Sequence, residues 1–203
     1  MARFESAYAG MTPLVDRRDP QRPPWEIGAP QASIVDLAER GQITGKVLDV
    51  GCGTGENSLF LTGRGMDVVG IDASTIAVEA ARAKATERSV GVEFRVSDAL
   101  HLRASPERFD SVIDVGLLHL FSDIDRRHLI DGLHTVLRPG GVYHVLCFSL
   151  RRSPPAPRRL GYHELLDAFG PGWRVESLVE SHYDVLDGDP RANAWLGRIL
   201  RLR

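Results

Sequence analysis

The sequence predicts an α/β fold, in which helices cover both faces of a doubly wound, mostly parallel sheet. Three observations predict it. Short apolar runs rich in β-branched residues alternate with longer amphipathic runs, a glycine-rich turn follows the first short run, and the fifth short run is apolar at nearly every position. Such alternation is typical of β-α units, and strands covered on both faces lose the apolar-polar alternation of a half-exposed sheet.

Five strands are predicted before the C-terminal third. They are Lys46–Val50, Asp67–Ile71, Val92–Val96, Ser111–Val115 and Gly141–Phe148. The last reads GVYHVLCF, which indicates burial on both sides. A buried central sheet follows.

Amphipathic segments between these strands predict the covering helices. Ser74 is placed to cap a helix over residues 75–88, and another helix is expected between Gly55 and Gly63 or Gly65. A longer helix is predicted from Asp123, with inward-facing residues Ile124, Leu129, Ile130, Leu133 and Leu137.

The C-terminal third predicts a helix, then a strand from Trp173, then a last strand. Arg198, Arg201 and Arg203 in that last strand are interpreted as a solvated sheet edge, because charged residues protect edges from mispairing.

Length and composition limit the classes of protein. The chain of 203 residues, 43% of them hydrophobic, fits one domain with a substantial core, and its net charge of -2 gives no basic excess to attract nucleic acid. No apolar window reaches the roughly 18 residues of a membrane span, and the N-terminal MARFESAYAG lacks a secretion signal. Cys52 and Cys147 are too few for a disulfide framework. We expect a cytoplasmic protein with neither nucleic acid nor membrane as partner.

The turn in VLDVGCGTGENS, residues 47–58, indicates a ligand site. Its glycines allow positive φ and a close approach of a ligand to the backbone. In a dinucleotide-binding turn, G-x-G-x-x-G, the third glycine would stand where this chain has Glu56. Asp49 and Glu56 are expected to repel a pyrophosphate and to attract an ammonium or sulfonium, which disfavours the alternative of a nicotinamide dehydrogenase.

An ordered series of motifs gives the chain a family resemblance. LDVGCGTG, GIDAS, SDAL, FDSVIDVGLLHLF and LRPGG follow one another along the sequence. In this series the chain resembles the class I S-adenosylmethionine-dependent methyltransferases. The resemblance implies a Rossmann-like, seven-stranded sheet with its final strand antiparallel, and S-adenosylmethionine as cofactor with S-adenosylhomocysteine as product. It also implies one methyltransferase domain over residues 31–203, preceded by a lid and substrate segment over residues 1–30, called here the N-terminal segment.

The resemblance also implies the residues that contact the cofactor. They are Asp49, Gly51, Cys52 and Gly53 in the glycine turn, Asp72 and Ala73 after the second strand, Asp98 and Ala99 after the third, and Asp114 at the end of the fourth.

Each of these acidic residues has an implied role. Asp49 orients the ammonium, Asp72 accepts hydrogen bonds from the ribose hydroxyls, Asp98 binds the adenine amino group, and Asp114 lies near the methionine moiety. For Asp72 the alternative is a cap beside Ser74, and for Asp98 an ordinary turn aspartate. Cys52 is interpreted as a passive small residue.

His119, in GLLHLF after the fourth strand, is the candidate catalytic base. Methyl transfer from a sulfonium is an in-line displacement that positioning accelerates, and only an acceptor protonated at neutral pH needs a base. The alternative for His119 is packing within the loop or binding a backbone carbonyl. No metal motif is present in the sequence, so we expect no metal. The chain reads DVGL where relatives that methylate nucleic-acid bases carry a (D/N/S)-P-P-(Y/F) motif.

The stretch PPWEIGAPQ resembles the matching element of thiopurine methyltransferase-like enzymes and of actinobacterial heterocyclic-toxin, or hydroxyquinolone, methyltransferases. The resemblance implies that Trp25 and Gln31 lie on the cofactor side, with Trp25 screening the site from water. A plain hydrophobic contact is the alternative for Trp25. Four further aromatic residues are candidates for an acceptor pocket, although the same residues could belong to the core: Phe4, Tyr8, Phe121 and Phe148.

The resulting hypothesis is O-methylation of a small hydroxylated heteroaromatic compound such as a hydroxyquinolone, in a detoxifying role. S-methylation of a thiol or thiopurine is the rival reaction. A protein of another class, which binds S-adenosylmethionine without catalysis, is the third alternative. The sequence predicts no oligomeric state.

Overall fold

A computed structural model of the chain describes residues 23–149, 159–186 and 191–203. The strands are β1 (Lys46–Val50), β2 (Asp67–Asp72), β3 (Glu93–Val96), β4 (Phe109–Val115), β5 (Leu137–Phe148), β6 (Trp173–Asp184) and β7 (Arg191–Arg201). The α-helices are α1 (Ala32–Glu39), α2 (Glu56–Gly63), α3 (Thr75–Glu87), α4 (Asp123–Val136) and α5 (Tyr162–Asp167). Short 3-10 turns cover Ala99–Ala104 and Leu118–Leu120.

All seven strands form one sheet in the order β3-β2-β1-β4-β5-β7-β6. The first five strands run parallel, and β7 is antiparallel to both of its neighbours. The strand order reverses between β1 and β4, and in open α/β sheets ligands bind beyond the carboxyl ends of the strands at this point. The predicted doubly wound fold, with seven strands and an antiparallel last strand, is confirmed.

Helices cover both faces of the sheet, as the apolar pattern predicted. Val47 of β1 packs in one cluster with Ile34 and Leu37 of α1. The next residue, Leu48, points to the other face and packs in a cluster with Leu129 of α4. Successive side chains of a strand alternate between faces, so one short strand supplies both halves of the core.

The fifth strand begins earlier than predicted. Helix α4 ends at Val136 and the chain enters β5 directly, with Leu137 paired to Phe109 of β4. The pairing shifts register between Phe109 and Ser111, next to the segment that contains Pro139. Pro139 and Gly140 therefore lie inside the irregular start of the strand.

Ile124 was expected to face the core, and this prediction is wrong. Its side chain is 61% exposed, whereas Arg126 is only 4% exposed. The buried face of α4 continues through Leu129 and Ile130, and one turn before these residues lies position 126. Arg126 thus takes the inward position, where its guanidinium pairs with Glu164.

The interpretation of the last strand as a sheet edge is also wrong, because β7 lies between β5 and β6. Arg198 forms an ion pair with Glu176 of β6, and Arg201 donates a hydrogen bond to the carbonyl of Leu137. Chain order alone did not indicate that the last strand inserts between two earlier ones. In the described ranges, no helix is both long and apolar enough to cross a membrane.

Candidate functional site

The glycine turn lies at the carboxyl end of β1, where the strand order reverses. Gly51, Gly53 and Gly55 all have positive φ, at 74°, 54° and 86°, which only glycine adopts readily. The amides of Gly51 and Cys52 donate to the carbonyl of Ile71, at 2.8 and 2.9 Å, and so hold the turn against β2. The turn presents backbone with few side chains to the space above it.

Asp49 places a buried carboxylate beneath this turn. It is 1% exposed, and its Oδ2 accepts a 2.6 Å hydrogen bond from Ser58 Oγ. Oδ1 has no hydrogen-bond partner in the described part of the chain. Burial raises the pKa of Asp49 to about 7, against the opposing hydrogen bond from Ser58, and the carboxylates of Asp114 and Asp72 add to the increase. A buried acceptor without a partner fits a cationic group of a ligand.

Asp72 joins the turn to the next helix. Its Oδ2 accepts from the Gly53 amide at 2.9 Å, and its Oδ1 accepts from the Ser74 amide at 2.8 Å. The capping alternative is therefore present in the structure. Contact of Asp72 with ribose hydroxyls stays a prediction. Ala73 follows as an exposed residue at the same end of β2.

Asp98 begins the 3-10 turn after β3. Its Oδ1 accepts from the Leu100 amide at 3.0 Å, and its Oδ2 lies 3.6 Å from His101 Nδ1. Ala99 beside it is buried. Asp98 thus has the geometry of an ordinary turn aspartate, which was the alternative interpretation of this residue. Its contact with adenine stays a prediction.

Asp114 lies beneath the site, with no exposed surface. Its Oδ1 accepts from the Leu117 and Leu118 amides at 2.8 and 3.3 Å, and its Oδ2 accepts from Tyr143 Oη at 2.8 Å. Burial raises its pKa to about 6, although these hydrogen bonds oppose the increase. Asp114 thereby holds Leu117 against the glycine turn, 3.1 Å from where a Cβ on Gly51 would lie. A direct contact of Asp114 with the cofactor stays a prediction.

Glu56 differs from the expectation that it would attract a ligand cation. Two protein cations already bind its carboxylate, Lys84 at 2.8 Å and Arg88 at 2.7 and 2.9 Å. Partial burial raises its pKa, but the hydrogen bonds from Arg88 and Lys84 outweigh burial and leave the pKa below its usual value. The charge of Glu56 is neutralised within the protein, whereas Asp49 keeps an oxygen without a partner in the described residues.

A solvent-open cleft lies above the glycine turn. Its lining contains the predicted residues Trp25, Gln31, Gly51, Cys52 and Gly53, together with Asn57, Val115 and Tyr183, which the sequence did not single out. Cys52 is buried beside it, and burial raises the pKa of its thiol, consistent with the passive role expected of it.

The described part of the N-terminal segment, residues 23–30, runs along this cleft. Just after it, Gln31 is fixed to the end of β6. Its Nε2 donates to the Asp184 carbonyl at 3.0 Å, and its Oε1 accepts from the Asp184 amide at 2.8 Å. The Leu186 amide donates to the Pro24 carbonyl at 2.8 Å. Trp25 packs with Tyr183 in a small apolar cluster. Both predicted residues therefore lie at the cleft, but the Gln31 amide is engaged by β6.

His119 lies after β4 and is 2% exposed. Its ring centroid is 5.0 Å from that of Phe148, and its Nδ1 makes no hydrogen bond in the described structure. The pKa of His119 is lowered to about 3, mainly by burial and to a smaller extent by the nearby cations Arg159 and Arg126. An imidazole with this pKa is neutral at physiological pH and is a weak base, which favours the packing alternative.

Phe148, at the end of β5, is the centre of an aromatic layer next to the cleft. The Tyr183 ring centroid lies 4.8 Å from that of Phe148, and the Arg159 guanidinium lies over the Phe148 ring, 5.5 Å from its centroid. Phe121 packs instead on the cluster around α4. Two further acceptor-pocket candidates lie outside the described residues, Phe4 and Tyr8. Contact of Phe148 with an acceptor stays a prediction.

Metal ligands are not grouped in the described ranges: no set of three or more His, Cys, Asp and Glu side chains there could hold an ion. The features that do converge are a glycine turn without side chains, the unpartnered Oδ1 of Asp49 beneath it and an aromatic layer beside it. They fit a ligand that carries a positive charge near the turn and an aromatic second ligand.

Comparisons with known proteins agree with this geometry. Residues 47–141 match a family model described as a methyltransferase domain. The chain is 35% identical to the 2-heptyl-1-hydroxyquinolin-4(1H)-one methyltransferase of Mycobacteroides abscessus over 179 residues, which is 86% of this chain and 78% of that protein. It is 28% identical to probable thiol methyltransferase 2 of Arabidopsis thaliana, again over 86% of this chain and 78% of the relative.

Among solved structures, one comes from work on the conversion of a disulfide bond into a thioacetal group during echinomycin biosynthesis. It superposes on this chain with a TM-score of 0.89 at 39% identity, and the match covers 99% of this chain and 92% of that one. The similarity therefore extends through the C-terminal strands that the family model does not reach.

Proposed function

This chain belongs to the S-adenosylmethionine-dependent methyltransferases, and from that premise we propose that it methylates an oxygen of a small hydroxylated heteroaromatic compound related to the hydroxyquinolones. The observation that carries the choice of acceptor is the aromatic layer of Tyr183, Phe148 and His119, because flat acceptors are held by stacking and apolar burial. The M. abscessus relative, named for a hydroxyquinolone, supports the same choice.

The cofactor fits the residues around the glycine turn. Bound there, S-adenosylmethionine supplies a methyl group on a positively charged sulfur that a nucleophile can displace. We assign the unpartnered Oδ1 of Asp49 to its ammonium, since a cation would satisfy this buried acceptor. Gly51 and Gly53 allow the backbone to approach the amino acid part. Asp72 and its neighbour Ala73 face the ribose in this proposal.

The remaining cofactor contacts follow from the two loops beyond β3 and β4. Asp98 and Ala99 are assigned to the adenine, and Asp114 acts from beneath by holding the Leu117 loop against the turn. Trp25 covers the cleft and excludes water, since it lines the cleft and packs with Tyr183. Exclusion of water strengthens every electrostatic contact inside the site.

The candidate base His119 does not fit that role. His119 has a pKa of about 3, so taking a proton from a hydroxyl group with a much higher pKa would be strongly unfavourable. We therefore propose an acceptor whose hydroxyl is acidic enough to enter as its anion. The acceleration then comes from holding the acceptor in line with the methyl group.

S-methylation of a thiol remains the second candidate. A thiolate forms near neutral pH and needs no base, which fits the neutral His119. The Arabidopsis relative is named for thiols, and the solved structure at 39% identity comes from work on a sulfur-containing product.

Release of S-adenosylhomocysteine tests the proposal. The purified protein is assayed with S-adenosylmethionine and hydroxyquinolones, simple phenols, thiophenols or thiopurines, with tRNA as a further control. Asp49→Asn protein, purified in parallel, controls for contaminating methyltransferases. We expect turnover with hydroxyquinolones and a methyl group on oxygen in the product. Turnover confined to thiophenols or thiopurines would move the assignment to sulfur, and no turnover despite tight S-adenosylhomocysteine binding would refute both acceptor classes.

The physiological role that goes with this activity is removal of a toxic heteroaromatic compound in the cytoplasm, where S-adenosylmethionine is made. Cells that express the protein should grow at hydroxyquinolone concentrations that inhibit cells expressing the Asp49→Asn variant. If both strains are inhibited equally, the protective role is contradicted, but the proposed methyl transfer is not.

A further inference from the structure

Arg159 lies beside the aromatic layer that adjoins the candidate site. The backbone around it is fixed to the end of β5, because the Leu160 amide donates to the Phe148 carbonyl at 3.1 Å and Leu160 pairs with Ser149. Nη1 of Arg159 donates to the Ser149 carbonyl at 3.1 Å. The guanidinium therefore lies over the Phe148 ring as part of the local fold, 5.5 Å from its centroid.

The charge of Arg159 is not neutralised by the described residues. No carboxylate among them lies within ion-pair distance of it, and its buried Nε makes no hydrogen bond with them. The other cations near the site are different, since Arg126 pairs with Glu164 and Arg88 pairs with Glu56. A half-buried guanidinium without a counter-charge is costly to keep, and an anionic ligand would offset that cost.

The neighbours of Arg159 make it suited to a planar anion. Phe148 offers an aromatic face, and its ring also contacts His119 and Tyr183 of the aromatic layer. A stacked arginine keeps its edge N–H groups free to bind oxygen or sulfur anions, with a geometry that lysine does not reproduce. His119, which is uncharged, does not compete as a second cation.

We infer that Arg159 determines acceptor specificity by binding the ionised hydroxyl or thiol group of an aromatic acceptor that stacks in the Phe148 layer. This inference rests on the proposed function and extends it, because it names the charge state that the site selects. The acceptor loses its proton to solvent before it binds, and Arg159 then favours the anion. Arg159 acts on binding, so its removal should raise KM for the acceptor more than it lowers kcat.

Binding of two probes to the S-adenosylhomocysteine complex tests this inference by calorimetry. The first probe is 1-hydroxyquinolin-4(1H)-one, which has an ionisable hydroxyl, and the second is quinolin-4(1H)-one, which lacks that group. The wild-type complex should bind the first probe more tightly as pH rises through the ionisation of its hydroxyl. Arg159→Gln should weaken this binding about 10- to 100-fold and abolish the pH dependence, since a hydrogen bond to a charged group is lost. Binding of the second probe should be unchanged.

Two further variants sharpen the result. Arg159→Lys keeps the charge without the planar fork and should retain part of the pH dependence. Arg127→Gln removes an exposed cation from α4 and should leave both probes unaffected. The affinity for S-adenosylhomocysteine and the melting temperature of each variant show that the cofactor site and the fold are intact.

The outcomes separate this inference from the proposed function. The role of Arg159 is overturned if Arg159→Gln binds both probes more weakly by the same factor. It is also overturned if the wild-type complex does not bind the hydroxyl probe. Methyl transfer to the hydroxyl probe with the same kinetics in Arg159→Gln overturns it while leaving the function in place. Arg159-dependent binding of the anion without any methyl transfer supports the role of Arg159 and refutes the O-methylation.

Discussion

The Lys84 ammonium lies 3.1 Å from the Glu26 carboxylate, and this contact ties the N-terminal segment to helix α3. The same Nζ is 2.6 Å from Thr54 Oγ1 and 2.8 Å from Glu56 Oε1. One cation therefore joins the segment that runs along the cleft, the glycine turn and the start of α2. Because Glu26 follows Trp25 directly, this network fixes where Trp25 lies.

The first prediction is that Glu26→Gln weakens binding of S-adenosylhomocysteine. The substitution removes a charge-assisted contact from a site where the Glu26 side chain is only 13% exposed. Losing such a contact costs about 1 kcal/mol, which corresponds to about a fivefold increase in Kd. Calorimetric titration of both proteins measures the change.

The matched control is Glu39→Gln. It makes the same change of charge in an exposed pair with Arg64, where both side chains are at least half exposed. Exposed pairs contribute little, so its Kd should equal the wild-type value. If the two variants bind S-adenosylhomocysteine equally well, the Lys84 network does not position the segment over the cofactor.

The second prediction concerns the pH dependence of cofactor affinity. The pKa of Asp49 is about 7 in the free protein, so at lower pH the carboxyl group is increasingly protonated and cannot bind an ammonium as an anion. A bound cation favours the ionised form and lowers the pKa, so binding releases a proton below about pH 7. The Kd for S-adenosylhomocysteine should be about tenfold higher near pH 6 than near pH 8. Asp49→Asn should bind S-adenosylhomocysteine weakly at both pH values. If the Kd of this variant changed with pH as much as the wild-type Kd does, Asp49 would not be the group that binds the ammonium.

The third prediction is that Asp49→Asn stabilises the free protein at alkaline pH. A carboxyl group whose folded pKa is raised from 3.8 to about 7 favours the folded state below pH 3.8, and this contribution is lost as pH rises through 7. The asparagine variant has no such loss, so the difference in melting temperature between variant and wild type should grow from pH 4 to above 7. Asp114 is present in both proteins, so only its coupling to Asp49 enters the difference.

Asp67→Asn is the control for this comparison, since Asp67 is exposed at the start of β2. Its melting temperature should follow the wild-type value at every pH. A constant difference between Asp49→Asn and wild type across the range would show that Asp49 does not titrate in the folded protein.

The fourth prediction separates two costs of replacing glycine in the turn. A Cβ on Gly55 would lie 2.5 Å from Phe94 Cζ at a φ of 86°, whereas one on Gly65 would meet nothing within 4 Å at a nearly equal φ of 85°. Gly65→Ala should lower the free energy of unfolding by about 1 kcal/mol, the cost of the left-handed conformation alone. Gly55→Ala should cost about 1–3 kcal/mol more because the core is overpacked. If chemical denaturation shows that both variants lose the same free energy of unfolding, Phe94 moves away from the added methyl group at no energetic cost.

Much of the parallel part of the sheet followed from the sequence because strands such as β1 and β2 contain adjacent apolar residues. Val47 and Leu48 show why, since adjacent residues of β1 pack on opposite faces and both must be apolar. The position of β7 did not follow, because pairing between distant strands leaves no local pattern. Arg198 illustrates this, since its partner Glu176 is on a strand whose place in the sheet the chain order does not give.

The site was predictable where backbone conformation demands glycine and was ambiguous where a carboxylate can serve two roles. Asp72 and Asp98 cap turns in the structure, and the same oxygens are the expected ligand acceptors, so a short motif cannot separate the two roles. Glu56 was misread because its cations, Lys84 and Arg88, come from another helix. Tyr183 gave no signal, since its strand is mostly polar.

The fifth prediction is that His119 does not set the pH dependence of methyl transfer. With a pKa of about 3, it keeps one protonation state across the neutral range, so the profile of kcat/KM should follow the ionisation of the acceptor alone. His119→Gln should leave the shape of that profile unchanged and lower the melting temperature, because the ring packs on Phe148. A general base would instead be worth about 100- to 10,000-fold in rate, and its removal would delete one limb of the profile. Acceptors of different acidity therefore distinguish the two roles of His119. If His119 only packs, the ascending limb of the kcat/KM profile should shift with the pKa of the acceptor. If His119 takes the proton, that limb should stay at the same pH for every acceptor.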